Sequence, residues 1–194
     1  MLKSNKFKQG AMFGLDARIA LAIFGALSVI SGAALYSAIQ EAKIVALVNE
    51  LSETEKAIEA YILDTGLDLP IDGAPKTKIR ELKSSTVQNW KGPYLSFEDY
   101  NTNPTSHAKH QFDRMTIPLF TSLENSKLTC TDASAVGKAC YYYIFWGVVP
   151  ADIANALELK LDGAIDQNAG SISYNSTNNQ LFYKSKVLTL KQYR

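Results

Sequence analysis

The hydrophobic positions fall into two regimes that meet near residue 40. From Ile19 to Ile39 the chain reads IALAIFGALSVISGAALYSAI, with no charged side chain and only Ser28, Ser31 and Ser37 as polar interruptions. A run of about 21 residues matches the length a helix needs to span ~30 Å of hydrocarbon. It also lacks the polar stripe of a core helix. Beyond it, Ile44, Leu47, Val48, Leu51, Ile58, Tyr61 and Ile62 recur at spacings of three, four and seven. That spacing predicts an amphipathic helix with one apolar face. No proline precedes Pro70, so one helix is expected from about Ala17 to Asp64, roughly 70 Å long. Its first half is apolar all round and its second half on one side only.

Charge orients the span. Lys3, Lys6, Lys8 and Arg18 precede it, while Glu41 and Lys43 follow it closely. The positive-inside rule then places the N-terminus in the cytoplasm and the remainder outside. A secretory signal would have a shorter apolar core followed by a small-residue cleavage site. Here the small pair Gly10-Ala11 lies before the run, Asp16 sits at its start, and the helical pattern continues past its end.

The segment KSNKFKQGAMFGLDARIALAIFGALSVISGAAL resembles the type IV pilin family, which includes the pseudopilins of type II secretion. The resemblance implies a basic leader removed by a prepilin peptidase, N-methylation of the new first residue, and an acid about five residues in. It also implies an apolar helix that packs subunits into a filament. Cleavage after Ala11 makes Met12 the methylated residue and Asp16 the fifth. Cleavage after Gly10 keeps the family's usual glycine, starts the chain at Ala11 and makes Asp16 the sixth. The chain departs from the family in having Asp rather than Glu, in Arg18 at the edge of the run, and in lacking a helix-kinking proline.

Asp16 is expected to meet the amino terminus of a neighbouring subunit away from water and to set axial register, since buried pairs often only break even in affinity. The other reading leaves it at headgroup level beside Arg18. Ala22, Gly25, Ala26, Ser28, Gly32 and Ala33 allow close helix approach, and are also ordinary membrane-helix composition.

After Gly66 the helical pattern stops, and Gly66, Pro70, Gly73 and Pro75 punctuate a loop. A short helix is expected within 76–87. The stretch NWKGPYLS resembles the W-x-G-P-Y connector of pilins, which implies Trp90 and Tyr94 packed on the sheet edge. Residues 97–110 read as an exposed loop. Met115 to Phe120 reads as a strand demoted to an edge by Pro118. Ala139 to Val149, rich in aromatic and β-branched residues, is the strongest strand. Ala151 to Leu161 reads as a helix ended by Asp162-Gly163, and Ser171 to Tyr174 and Gln180 to Tyr183 as a hairpin. The order predicts an α+β fold: a pilin-like long N-terminal helix packed on a small antiparallel sheet. With the resemblance, residues 1–11 are the leader, 12–40 the transmembrane and polymerisation helix, 41–65 its amphipathic half, and 66–194 the head.

Composition adds mainly exclusions. The 194 residues are 46% apolar, which excludes a disordered chain, and carry a net charge of +1, about −2 after the leader lysines are lost. Neither value implies nucleic acid. Cys130 and Cys140 lie in the exported part, where a disulfide is expected, closing a loop worth about 2–3 kcal/mol. No nucleophile elbow, phosphate loop or zinc helix occurs, so no catalytic residue, metal or cofactor is expected. His107 and His110 read as surface-loop residues, since structural zinc wants four ligands. Asp162, Asp166 and Asn168 offer oxygens without EF-hand spacing; a helix cap and turn account for them. Asn175-Ser176-Thr177 fits a glycosylation pattern that is common by chance.

The resemblance implies a structural subunit of a type IV pilus, a homo-oligomeric helical filament. It would be made in the inner membrane and handled by prepilin peptidase and the pilus assembly machinery, with the head outside in an adhesion, motility, DNA-uptake or secretion role. A type II secretion pseudopilin or minor pilin is the alternative within the family. A signal-anchored periplasmic binding module or enzyme is the alternative from another class.

Overall fold

The computed structural model describes residues 10–73, 75–121, 129–131, 137–166 and 170–190, without the side chains at 10–13 and 15. The chain divides into two compact units, Met1–Lys43 and Ile44–Arg194. Helix α1, Gly10–Thr65, contributes to both. It ends where Gly66 takes a left-handed conformation (φ 68°) and donates its N–H to Ile62 O at 2.8 Å, a C-terminal stop that suits glycine.

In the second unit the α1 positions Ile44, Leu47, Leu51, Ala57, Ile58 and Tyr61 are buried in one core with the sheet. Thr54 is also fully buried, and its hydroxyl donates to Glu50 O one turn back at 2.8 Å. The sheet is antiparallel and six-stranded: β1 Ala108–His110, β2 Asp113–Thr116, β3 Leu119–Phe120, β4 Tyr141–Trp146, β5 Ile172–Asn175 and β6 Gln180–Leu188. The order is β1-β2-β4-β6-β5, with β3 also pairing β4. Thr116 faces Phe145 and Phe145 faces Phe182 across the centre of the sheet. Helix α2, Ala151–Asp162, follows β4 and stops at Gly163 (φ 77°). The architecture is α+β, with a long N-terminal helix and an antiparallel sheet.

Three local expectations need correction. Met115 to Phe120 is not an edge. Pro118 lacks an N–H and splits the segment into β2 and β3, yet its carbonyl accepts Tyr143 N–H at 2.9 Å and both halves pair with β4. Residues 97–110 are not an exposed loop either. Lys109 N–H donates to Glu98 O at 2.8 Å, Asp99 bridges Ala108, and Ser106, His107 and Ala108 are buried. Finally, Tyr94 settles against the end of α1 rather than a sheet edge, with Trp90 edge-on to Tyr94. Tyr94 stacks edge-on to Tyr61 and donates its hydroxyl to Asp64 Oδ2 at 2.9 Å, while Trp90 Nε1–H donates to Glu81 O at 2.9 Å. Glu81 belongs to the 3₁₀ turn Ile79–Leu82, all that forms of the helix expected within 76–87. A Cβ on Gly92 would lie 2.6 Å from the Trp90 ring, so only glycine lets the indole fold back over this turn.

Candidate functional site

The first unit holds the chain's most exposed apolar surface. Every large apolar side chain from Ile19 to Ile39 is exposed, Phe24 and Val29 at 71% and 74%. None of the most apolar window of the helix is buried. Burying one such side chain is worth about 1.5–3 kcal/mol, so the ten exposed here favour a non-aqueous surrounding by roughly 15–30 kcal/mol. By length and composition this helix can cross a membrane. One of its polar interruptions is satisfied internally: Ser28 Oγ donates to Phe24 O at 2.8 Å, which spares that hydroxyl a partner from outside.

Nothing among the described residues calls for the glycines of this segment. A Cβ at Gly14, Gly25 or Gly32 would meet nothing within 4 Å. Each glycine inside a helix costs about 0.5–1 kcal/mol relative to alanine. At 100° per residue, Gly14, Gly25 and Gly32 fall within about 20° of one another, with Ser28 about 40–60° to one side. They form a smooth strip along the apolar rod, the shape that lets a second helix approach closely.

Asp16 and Arg18 are both exposed at the start of this run. No ion pair joins them among the described residues. Gly10, Ala11 and Met12, which frame the two expected cleavage positions, lie in the helical backbone, but their side chains are outside the described ones. Residues 1–9 of the expected leader also lie outside the described residues.

Cys130 and Cys140 form the expected disulfide, with Cα atoms 5.9 Å apart and both residues buried. Cys130 N–H donates to Leu119 O at 3.3 Å, and Cys140 O accepts Thr189 N–H at 3.0 Å. The bridge therefore clamps β3 and the end of β6 at one end of β4.

The histidines do not lie on the surface. His110 is buried on β1, its ring parallel to Trp146 with centroids 4.8 Å apart. Nδ1 accepts Phe112 N–H at 3.1 Å, so a neutral ring carries its proton on Nε2, which lies 2.9 Å from Glu50 Oε1 on α1. The alignment falls short of a full hydrogen bond. Glu55, further along α1, accepts Lys186 N–H from β6 at 2.8 Å. Two helix carboxylates thus reach two different strands and fix the helix across the sheet.

Asp162 takes the N–H groups of Ser171 and Ile172 at 2.9 and 3.0 Å, so its oxygens serve the start of β5. Asn168 lies outside the described residues. No group of three or more metal-ligand side chains gathers among the described residues. Glu158, on the preceding turn of α2, is fully buried. One oxygen accepts Asp166 N–H at 2.5 Å and the other has no hydrogen-bond partner among the described residues. Burial first, then the Asp162 and Asp166 charges, raise its pKa above the ordinary glutamate value. In the last turn of α1, Asp64 is held below the usual carboxylate range, first by Lys91 and then by Tyr94.

No family model, curated protein or solved structure matches this chain.

Proposed function

We propose that this chain is a non-catalytic structural subunit of a bacterial type IV pilus-like filament. In this reading it is made as an inner-membrane precursor and trimmed by a prepilin peptidase at Ala11–Met12, or at Gly10–Ala11. Its apolar helix then leaves the lipid for the packed centre of a homo-oligomeric filament, and the head forms the outer surface. The supporting observation is the bare apolar segment of α1 with its strip of glycines. Lipid satisfies exposed apolar side chains but gives no reason for the glycines, whereas a neighbouring helix satisfies both. Trimming would place Asp16 within the first turns, where the helix's positive end and a neighbour's free amino group favour a carboxylate. A type II secretion pseudopilin or minor pilin would use the same segment in the same way.

The test is expression in a bacterium that carries a prepilin peptidase and pilus assembly machinery, with mass spectrometry of the membrane and sheared fractions. The reading expects loss of the first ten or eleven residues and an added N-methyl group. An intact N-terminus in every fraction would instead establish a signal-anchored module. Asp16→Ala should insert into the membrane normally and yield no filaments; normal filaments would refute the register role.

A further inference from the structure

The sheet's second face, away from α1, is aromatic. Phe120, Tyr143, Phe145 and Phe182 form an apolar cluster separate from the main core, with Phe145 and Phe182 centroids 4.9 Å apart. An antiparallel sheet with one free face normally alternates apolar and polar residues, and a strand that is apolar throughout belongs to a sheet covered on both sides. β4, Tyr141–Trp146, is of the second kind.

Over this cluster lies a cavity of about 250 Å³, large enough for one or two fused rings. Phe120, Phe145 and Phe182 line it, with Pro75 and Pro118 beside them. Its charged lining is all cationic: Lys76 and Arg114. The two differ in how far they are matched. Arg114 Nη1 donates to Asp113 Oδ2 at 2.7 Å, and its guanidinium sits 5.7 Å from the Phe145 centroid. Lys76 makes no ion pair among the described residues. Asp72, in the same turn, gives its backbone N–H to Lys76 O at 2.9 Å, with no ion pair between the side chains. His107 also lines the cavity. Burial, then Lys76 and Arg114, push its pKa down, so at neutral pH the ring adds no charge while both cations act on this corner.

We propose that this cavity binds a small planar aromatic carboxylate, its ring against Phe120, Phe145 and Phe182 and its carboxylate toward Lys76. Thr116 and Gln180 also line the cavity, but its exposed surface is predominantly apolar, which matches the flat face of a ring better than a saccharide. A free amino acid would bring an ammonium group against Lys76 and Arg114. The inference stands apart from filament assembly, because it uses only residues of the head.

The test is an NMR titration of the full chain in zwitterionic micelles, with protein-free micelles as the blank. The probes are indole-3-carboxylate and its uncharged carboxamide. The carboxylate should bind with Kd on the order of 1 mM or tighter and shift the signals of Phe120, Phe145 and Phe182. The carboxamide should bind about fivefold more weakly, as expected for loss of one partly exposed charge pair. Lys76→Gln should bring the carboxylate down to the carboxamide's affinity and leave the carboxamide unchanged. Phe182→Leu should weaken both probes, and an otherwise parental spectrum certifies its fold. Equal binding of the two probes, an equal effect of Lys76→Gln on both, or absence of shifts at the three phenylalanines would each overturn the proposal.

Discussion

Tyr142 and Tyr143 are neighbours on β4, point to opposite faces of the sheet, and should respond oppositely to loss of the hydroxyl. The Tyr142 hydroxyl accepts Leu69 N–H at 3.1 Å and donates to Asp68 Oδ1 at 3.0 Å, and the same Asp68 oxygen accepts Leu190 N–H at 2.8 Å. One phenol thereby ties the chain after α1 to the central strand and to the end of β6. Tyr142→Phe leaves the buried Leu69 N–H without its acceptor, a loss of about 1–3 kcal/mol. Asp68 retains Leu190, so we place the cost near 2 kcal/mol. For a head of this size that corresponds to a Tm lower by about 4–8 °C. The Tyr143 hydroxyl is buried with no hydrogen-bond partner among the described residues, and burial pushes its pKa strongly upward. Tyr143→Phe removes a desolvated group that gains nothing in return, so stability should be unchanged or higher. The assay is thermal and urea unfolding of a disulfide-intact head fragment, followed by near-ultraviolet circular dichroism. Equal losses in the two variants, or a larger loss in Tyr143→Phe, would refute this assignment of satisfied and unsatisfied hydroxyls.

Two further outcomes follow from the packing and the electrostatics. A fragment starting at Glu41 should fold, whereas one starting at Val48 removes Ile44 and Leu47 from the core and should lose about 4–10 kcal/mol at 2–5 per buried aliphatic; equal urea midpoints would contradict the core boundary at Ile44. Glu158 holds its proton to higher pH when folded than when unfolded. Between those two pKa values the folded state binds more protons, so stability falls as pH rises, by at most about 1.4 kcal/mol per pH unit. Glu158→Gln keeps an acceptor for Asp166 N–H and removes that titration. Its stability relative to the parent should therefore rise between pH 4 and pH 7, and a constant difference across that range would exclude a raised folded-state pKa.

The elements that were legible in the sequence are those whose signal is local and repeated. The long helix α1 declared itself through an uninterrupted apolar run followed by apolar residues three, four and seven apart, without proline. Helix α2 had periodic aliphatics and Asp162-Gly163 at its end. The β5–β6 hairpin had a polar turn between apolar runs, although β6 extends to Leu188, beyond the expected Tyr183. The Cys130–Cys140 disulfide was expected from the exported position that the charge asymmetry around the apolar run implies. These patterns reflect chain-local geometry, 3.6 residues per turn or alternation of two, which holds whatever the element later packs against.

What the tertiary structure alone decided concerns short polar segments and the choice of neighbour. Ala108–His110 is three residues long with no alternation to read. It is a strand because β2 and residues 98–100 supply its hydrogen bonds, and because Trp146 and Glu50 happen to meet His110. Trp90 and Tyr94 announce burial in any aromatic-rich connector, but only the position of Asp64, Tyr61 and the Glu81 carbonyl determines where they settle. The run Tyr141–Trp146 predicts a strand apolar on both sides, yet it cannot say that α1 takes one side and that the other carries a cavity with Lys76 at its edge. Apolar periodicity specifies how much surface a segment must hide. What hides it depends on contacts between residues far apart in the chain, and those exist only once the chain has folded.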